Sequence, residues 1–129
     1  MSRMMYSHIA KPDELHPEWR CQSIDEHNEG VARLCSSFAQ PFGFDSIGYI
    51  MGLLHDKGKE QEEWQKYLQS ITGYNQEFAH VKSSPHHAYV GACIAQKQYP
   101  HIAPLIAQPI AGHHRGLYDY CDYVVEVRV

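Results

Sequence analysis

The stretch Gly52-Leu53-Leu54-His55-Asp56-Lys57-Gly58-Lys59 constrains the fold more than any other part of the chain. An apolar run ends abruptly in an imidazole and a carboxylate, followed by a lysine, a glycine and a second lysine. Ahead of that break Phe44, Ile47, Met51, Leu54 and His55 recur at helical spacing, so His55 falls on the face the helix must bury. Gly48 and Gly52, four apart, make a small-residue face. Each glycine costs about 1 kcal/mol of helix propensity, and the packing reason for tolerating both is close approach of a neighbouring helix. Alone, the segment reads as an ordinary helix C-terminus, with His55 and Lys57 at the negative dipole end and Gly58 just past it. The chemical alternative is a metal site, because a carboxylate can bridge two ions while an imidazole binds one.

The chain carries ten histidines, and several lie on other helical stripes. From Ser23 the residues Ile24, His27, Val31, Leu34, Cys35 and Phe38 recur at three- and four-residue steps, which predicts an amphipathic helix. Ser23 with Glu26 forms a capping-box pattern at its start. By itself His27 reads as a core histidine satisfied by a backbone carbonyl. Gln40-Pro41-Phe42-Gly43 ends that helix, and Asp45 or Ser46 caps the next. A more polar helix is expected over Glu60 to Gln69, with Trp64, Tyr67, Leu68 and Ile71 as its apolar edge. After a loop, Ser84-Pro85 supplies an N-cap and N1 pair for a helix carrying His87, Val90, Gly91, Ile94 and Gln98.

Pro104 opens a last helix with Leu105, Ile106 and Ile110 on its apolar side, which Pro109 is expected to kink or end. Neighbours on a regular helix point about 100° apart. Distortion by Pro109 and Gly112 is therefore what would let His113 and His114 reach one site. His8, His16, His80, His86 and His101 read as surface positions. Residues 1–23, interrupted by Pro12 and Pro17, read as irregular, with Trp19 packing onto the first helix. Residues 118–129 end in valine alternating with charge, a strand pattern.

At 129 residues the chain is one domain long. The expected architecture is all-α, five to six helices with a short C-terminal strand. No stretch approaches the roughly 18 apolar residues of a membrane span, and a soluble, cytoplasmic protein is expected. Cys21, Cys35, Cys93 and Cys121 show no C-x-x-C pair, so neither a zinc ribbon nor a disulfide framework is suggested. The net charge of −4 argues against gripping nucleic acid by a basic surface. If phosphates bind, metal must supply much of the positive charge. An imidazole-rich set favours manganese, iron, cobalt, nickel or zinc over magnesium.

Taken together, His27, His55, Asp56, His87, His113 and His114 on helical segments are not easily satisfied except by metal. The order His, His-Asp-x-Gly-Lys, His, His-His resembles the HD superfamily of metal-dependent phosphohydrolases. More narrowly it resembles the HD nuclease of CRISPR type I interference, a domain or subunit of the helicase-nuclease. The narrower likeness rests on Glu26 to Ala32, Gly52 to Lys59, Trp64 to Leu68, His87 to Ala92 and Ile110 to Leu117, with the double histidine before Arg-Gly-Leu its most specific part.

The resemblance implies an HD-domain helical bundle holding two divalent ions bridged by Asp56, one on His27 and His55, the other on His87, His113 and His114. It implies endonucleolytic hydrolysis of single-stranded DNA, with a separate helicase subunit and an RNA-guided surveillance complex as partners. The chain contains no G-x-x-x-x-G-K-[ST] loop of its own. In two-metal hydrolysis the ions, about 3.5–4 Å apart, polarise the phosphoryl oxygen and acidify a water. Asp56 would set their spacing, and Lys59 or Arg115 would offset phosphate charge. The family also uses an aspartate on a helix downstream of the double histidine. This sequence ends before such a helix, as a truncated form, a shortened gene product or one piece of a split protein would, and neither Asp119 nor Asp122 sits in a matching context. Two rivals follow: a phosphohydrolase acting on a nucleotide or cyclic nucleotide, and a metal-binding remnant without activity. The C-terminal strand pattern suggests a homodimer paired through the tail.

Overall fold

In this computed structural model the structure describes residues 3–116. The expected strand over 118–129, with Asp119, Asp122 and the tail pairing, lies outside the described residues. The chain is mostly helical, and its contacts divide it into two compact units. The first comprises the described residues up to His27 together with Lys59–Pro85. The second comprises Asn28–Gly58 together with the described residues from His86. No helix among the described residues is long and apolar enough to cross a membrane.

The first unit corrects the expectation that residues 1–23 are irregular. Strands β1 (Tyr6–Ala10) and β2 (Arg20–Ser23) pair antiparallel, with Ile9 opposite Cys21 and Ala10 opposite Arg20. The register shifts between Tyr6 and His8, which leaves Ser7 as an extra, buried residue. Pro12 and Pro17 fall between the strands, where neither removes a ladder hydrogen bond. Helix α3 (Glu62–Thr72) packs on β1, burying Ile9 against Trp64 and Leu68. Gln65 of α3 accepts from the Tyr6 N–H at 2.9 Å and donates to the Tyr6 carbonyl at 2.8 Å, so its carboxamide pairs with the strand as a third strand would. Helix α3 starts two residues later than expected, because Lys57–Glu60 form a 3₁₀ turn, and Gly73 closes it at φ 74°. Trp19 stacks edge-on against Tyr74 at 5.2 Å rather than on the first helix.

Helix α1 (Ile24–Ala39) begins in the first unit and continues in the second. Its start is the expected capping box: Glu26 N–H donates to Ser23 Oγ at 3.1 Å, and Ser23 N–H to Glu26 Oε2 at 3.2 Å. Its buried stripe differs from the expected one. Leu34 and Phe38 are exposed at 57% and 73%, while Asn28 and Ala32 are buried.

Contact with α2 (Asp45–Leu54) explains the choice. A Cβ on Gly48 would lie 2.5 Å from the Cys35 carbonyl oxygen and 3.1 Å from Ala39 Cβ, and one on Gly52 would lie 2.5 Å from Ala32 Cα. The two backbones touch, so α1 must present its small side chains, Ala32, Cys35 and Ala39. The larger apolar residues turn outward. Tyr49 adds a surface tie, its hydroxyl donating to the Glu29 carboxylate at 2.9 Å.

The rest of the second unit is an alanine-rich pair, α4 (Ala88–Gln98) and α5 (Ala103–Gly112), packed on Leu54 of α2. Ala92 and Ala95 meet Ala103, Ile106, Ala107, Ile110 and Ala111. Two local expectations are corrected here. Ser84-Pro85 does not open α4: the Ser84 hydroxyl turns to the Pro85 carbonyl, and the helix starts after His87. Nor does Pro109 end α5, which runs on to Gly112. The carbonyl that loses its partner to Pro109 is that of Leu105, an exposed residue, where water can take the bond.

The helix contacts yield an opposed pair of outcomes. Gly52→Ala adds a methyl against the α1 backbone and is expected to lower stability by about 1–3 kcal/mol, although alanine is the better helix former. Gly30→Ala, in the same fold but with nothing within 4 Å of the added Cβ, is expected to raise it by about 0.5–1 kcal/mol. Urea denaturation of both variants checks the pair; equal effects would contradict the packing reading.

Candidate metal centre

Asp56 stands just past the end of α2 and is 3% exposed. A carboxylate there needs partners, and the second unit supplies imidazoles from three segments. His55 precedes it as the C-cap of α2, with Nε2 3.2 Å from Asp56 Oδ2. His113, the C-cap of α5, places Nε2 3.1 Å from Oδ1. His87, the N-cap of α4, places Nε2 3.5 Å from the same oxygen. His114 Nε2 lies 2.8 Å from His87 Nε2.

Two of these rings are fixed by their helices. His55 Nδ1–H donates to the Gly52 carbonyl and His113 Nδ1–H to the Ile110 carbonyl, each at 2.6 Å across three residues. A neutral imidazole that donates from Nδ1 carries its lone pair on Nε2. Both rings therefore aim a lone pair at an Asp56 oxygen. Lone pair against carboxylate is repulsive, and only a cation between them, a proton or a metal ion, makes the arrangement favourable.

Glycines make the approach close enough. A Cβ on Gly58 would run into the His87 carbonyl, and one on Gly91 into the Leu54 carbonyl. These contacts hold the start of α4 against the end of α2, which is where His87 and Asp56 meet. His113 and His114 sit in the turn after α5, with ring centroids 4.1 Å apart. The double histidine thus converges where the helix has stopped.

Ligand atoms from Asp56, His87, His113 and His114 all lie within 4.8 Å of one another. Around an ion with bonds near 2.1 Å, adjacent ligands stand about 3.0–3.4 Å apart, close to the separations of 2.8, 3.1 and 3.5 Å found here. Carbonyl-anchored Nδ1 atoms are also the usual support for histidines that bind metal through Nε2. The donor set could hold a metal ion.

Burial pushes the Asp56 carboxyl up, but hydrogen bonds from His113, His55 and His87, which donate when a proton rather than a metal ion stands between ring and carboxylate, together outweigh it and hold the carboxyl well below the usual carboxylate range. Cys35 belongs to neither of the His/Asp groups that could hold an ion, and burial pushes its thiol up. Its side chain instead lines, with Val31, Met51 and Ile110, an apolar cavity of about 260 Å³ whose remaining wall includes His55 and His113.

His27 is the last residue of the first unit, its ring edge-on to His8 with centroids 4.8 Å apart. Lys59, also in the first unit, is buried, its ammonium 3.4 Å from Ser7 Oγ and 5.0 Å from the Trp64 ring centre. Arg115 is exposed in the turn after His114. One residue the sequence reading passed over is Asn28, 3% exposed with neither carboxamide atom paired. Its signal was a polar residue four positions before Ala32 on the same helical stripe. No protein-family model matches the chain, and no curated protein matches it.

Acid exposes the Asp56 contribution. The folded carboxyl lies below its unfolded value of about 3.9, so its stabilisation is present above that pH and is lost as pH falls through and below it. In metal-free protein, stability is expected to drop more steeply between pH 5 and pH 2.5 in the wild type than in Asp56→Asn. Parallel pH profiles from chemical denaturation would contradict this.

Proposed function

We propose that the Asp56 cluster is a metal centre of HD type and that the chain is a metal-dependent phosphodiesterase cleaving single-stranded DNA in CRISPR antiviral defence. One observation carries the reading: a buried carboxylate collects imidazoles from the ends of three helices, two of them with their tautomer fixed for coordination. The sequence order of those residues supports the HD assignment, and the Arg-Gly-Leu following the double histidine supports the nuclease branch. Manganese, nickel, cobalt, iron or zinc suits the donor set better than magnesium.

When bound, such an ion polarises a phosphoryl oxygen and acidifies a water. The chain's own residues do the rest. Asp56 and the imidazoles of His87, His113 and His114 fix the position at which a phosphodiester is held. For a second ion the resemblance names His27 and His55, with Asp56 shared, as the residues that would hold it. Arg115, exposed beside the double histidine, offsets phosphate charge at the rim. The same resemblance assigns Lys59 a supporting charge, and a separate helicase and an RNA-guided complex as the partners that deliver the strand.

A second reading, hydrolysis of a nucleotide or cyclic nucleotide, is favoured by the apolar cavity beside His55 and His113, which is large enough for one nucleobase. Circular single-stranded DNA separates the two, since only an endonuclease opens it. With manganese or nickel the purified chain is expected to linearise the circle, and Asp56→Ala to leave it intact. Intact circles with stoichiometric metal bound would overturn the nuclease reading. Release of phosphate from mononucleotides under the same conditions would then point to the second reading, and its absence to an inactive metal-binding remnant.

A further inference from the structure

Asn28 is buried inside the second unit, and both its Oδ1 and its Nδ2 lack a hydrogen-bond partner. Buried polar groups of native proteins are almost always paired, so an orphaned carboxamide marks a place where something else belongs. Its position follows from the contact between α1 and α2. Gly48 touches Cys35 and Ala39, and Gly52 touches Ala32 one turn further along. The helices run antiparallel, so continuing by one turn, about 5.4 Å, brings Asn28 on α1 level with residues 55 and 56 after α2. Asn28 and Asp56 are each 3% exposed. The one orphaned side chain among the described residues thus shares a level with the carboxylate around which the imidazoles gather.

We infer that Asn28 is a positioning residue of the metal centre, its carboxamide accepting a hydrogen bond from the hydration shell of the ion at Asp56. The inference rests on the metal-centre reading above. Without an ion the carboxamide is a liability, because it is desolvated and pairs with nothing. With an ion present, a polarised water is a strong donor toward Oδ1. A leucine at this position has similar volume and no polar atom, so it removes the liability and the metal-dependent bond together.

Isothermal titration with manganese and thermal unfolding, each on wild type and Asn28→Leu, test this. The expected result is crossed: the variant melts higher than wild type without metal, yet binds manganese at least tenfold more weakly. A purely structural asparagine would not shift metal affinity. Asn28→Asp provides an independent arm, in which a carboxylate facing the ion should tighten manganese binding and lower the metal-free melting temperature. Wild type that binds manganese, with both variants binding equally well, overturns the role of Asn28 while leaving the metal centre intact. Wild type that binds no manganese overturns both.

Discussion

The second unit depends on one electrostatic problem, a carboxylate 3% exposed at the end of an apolar helix. An isolated charge in such a place costs far more than a small domain has to spare. The Asp56 oxygens are met by Nε2 atoms of His55, His87 and His113. Yet His55 and His113 have already committed their Nδ1–H groups to backbone carbonyls. Protonating those imidazoles is one way to neutralise Asp56. A metal ion does so with the rings neutral, and satisfies every lone pair at once.

Reaching that geometry requires helix backbones to come unusually near one another. Small residues make this feasible: Gly48 and Gly52 against α1, Gly91 against the end of α2, Gly58 against the start of α4. The core of α4 and α5 follows the same rule, with alanines at most buried positions. Such a core gains less from each side chain than one built on leucine. What it gains instead is short distance between helix ends, and those ends carry the histidines.

The His/Asp cluster was legible in the sequence because its signal lies in residue type. Histidine beside aspartate after an apolar run, a glycine pair at helical spacing and a capping box at Ser23 each have a local physical meaning that tertiary packing did not alter. The failures share the opposite cause. Leu34 and Phe38 scored as inward by hydrophobicity, but the close glycine contact admitted only small residues on that face. Ser84-Pro85 resembled a helix start, whereas α4 begins after His87, the residue drawn to Asp56. The two short strands were hidden because β2 is polar and exposed, and because the second partner of β1 is the side chain of Gln65, 59 residues from Tyr6. Asn28 escaped notice for a related reason: its meaning depends on what α2 places opposite it.

The most direct measurement is the X-ray absorption spectrum of the nickel-loaded protein at the metal edge. Imidazole rings scatter in a pattern that oxygen ligands do not, so the spectrum counts histidines around the ion. Three imidazoles with oxygen completing the shell, falling to an oxygen-dominated shell in the His87→Ala, His113→Ala double variant, is the expected result. A shell of oxygens alone in the wild type would contradict the assignment of Asp56, His87, His113 and His114 as one metal centre.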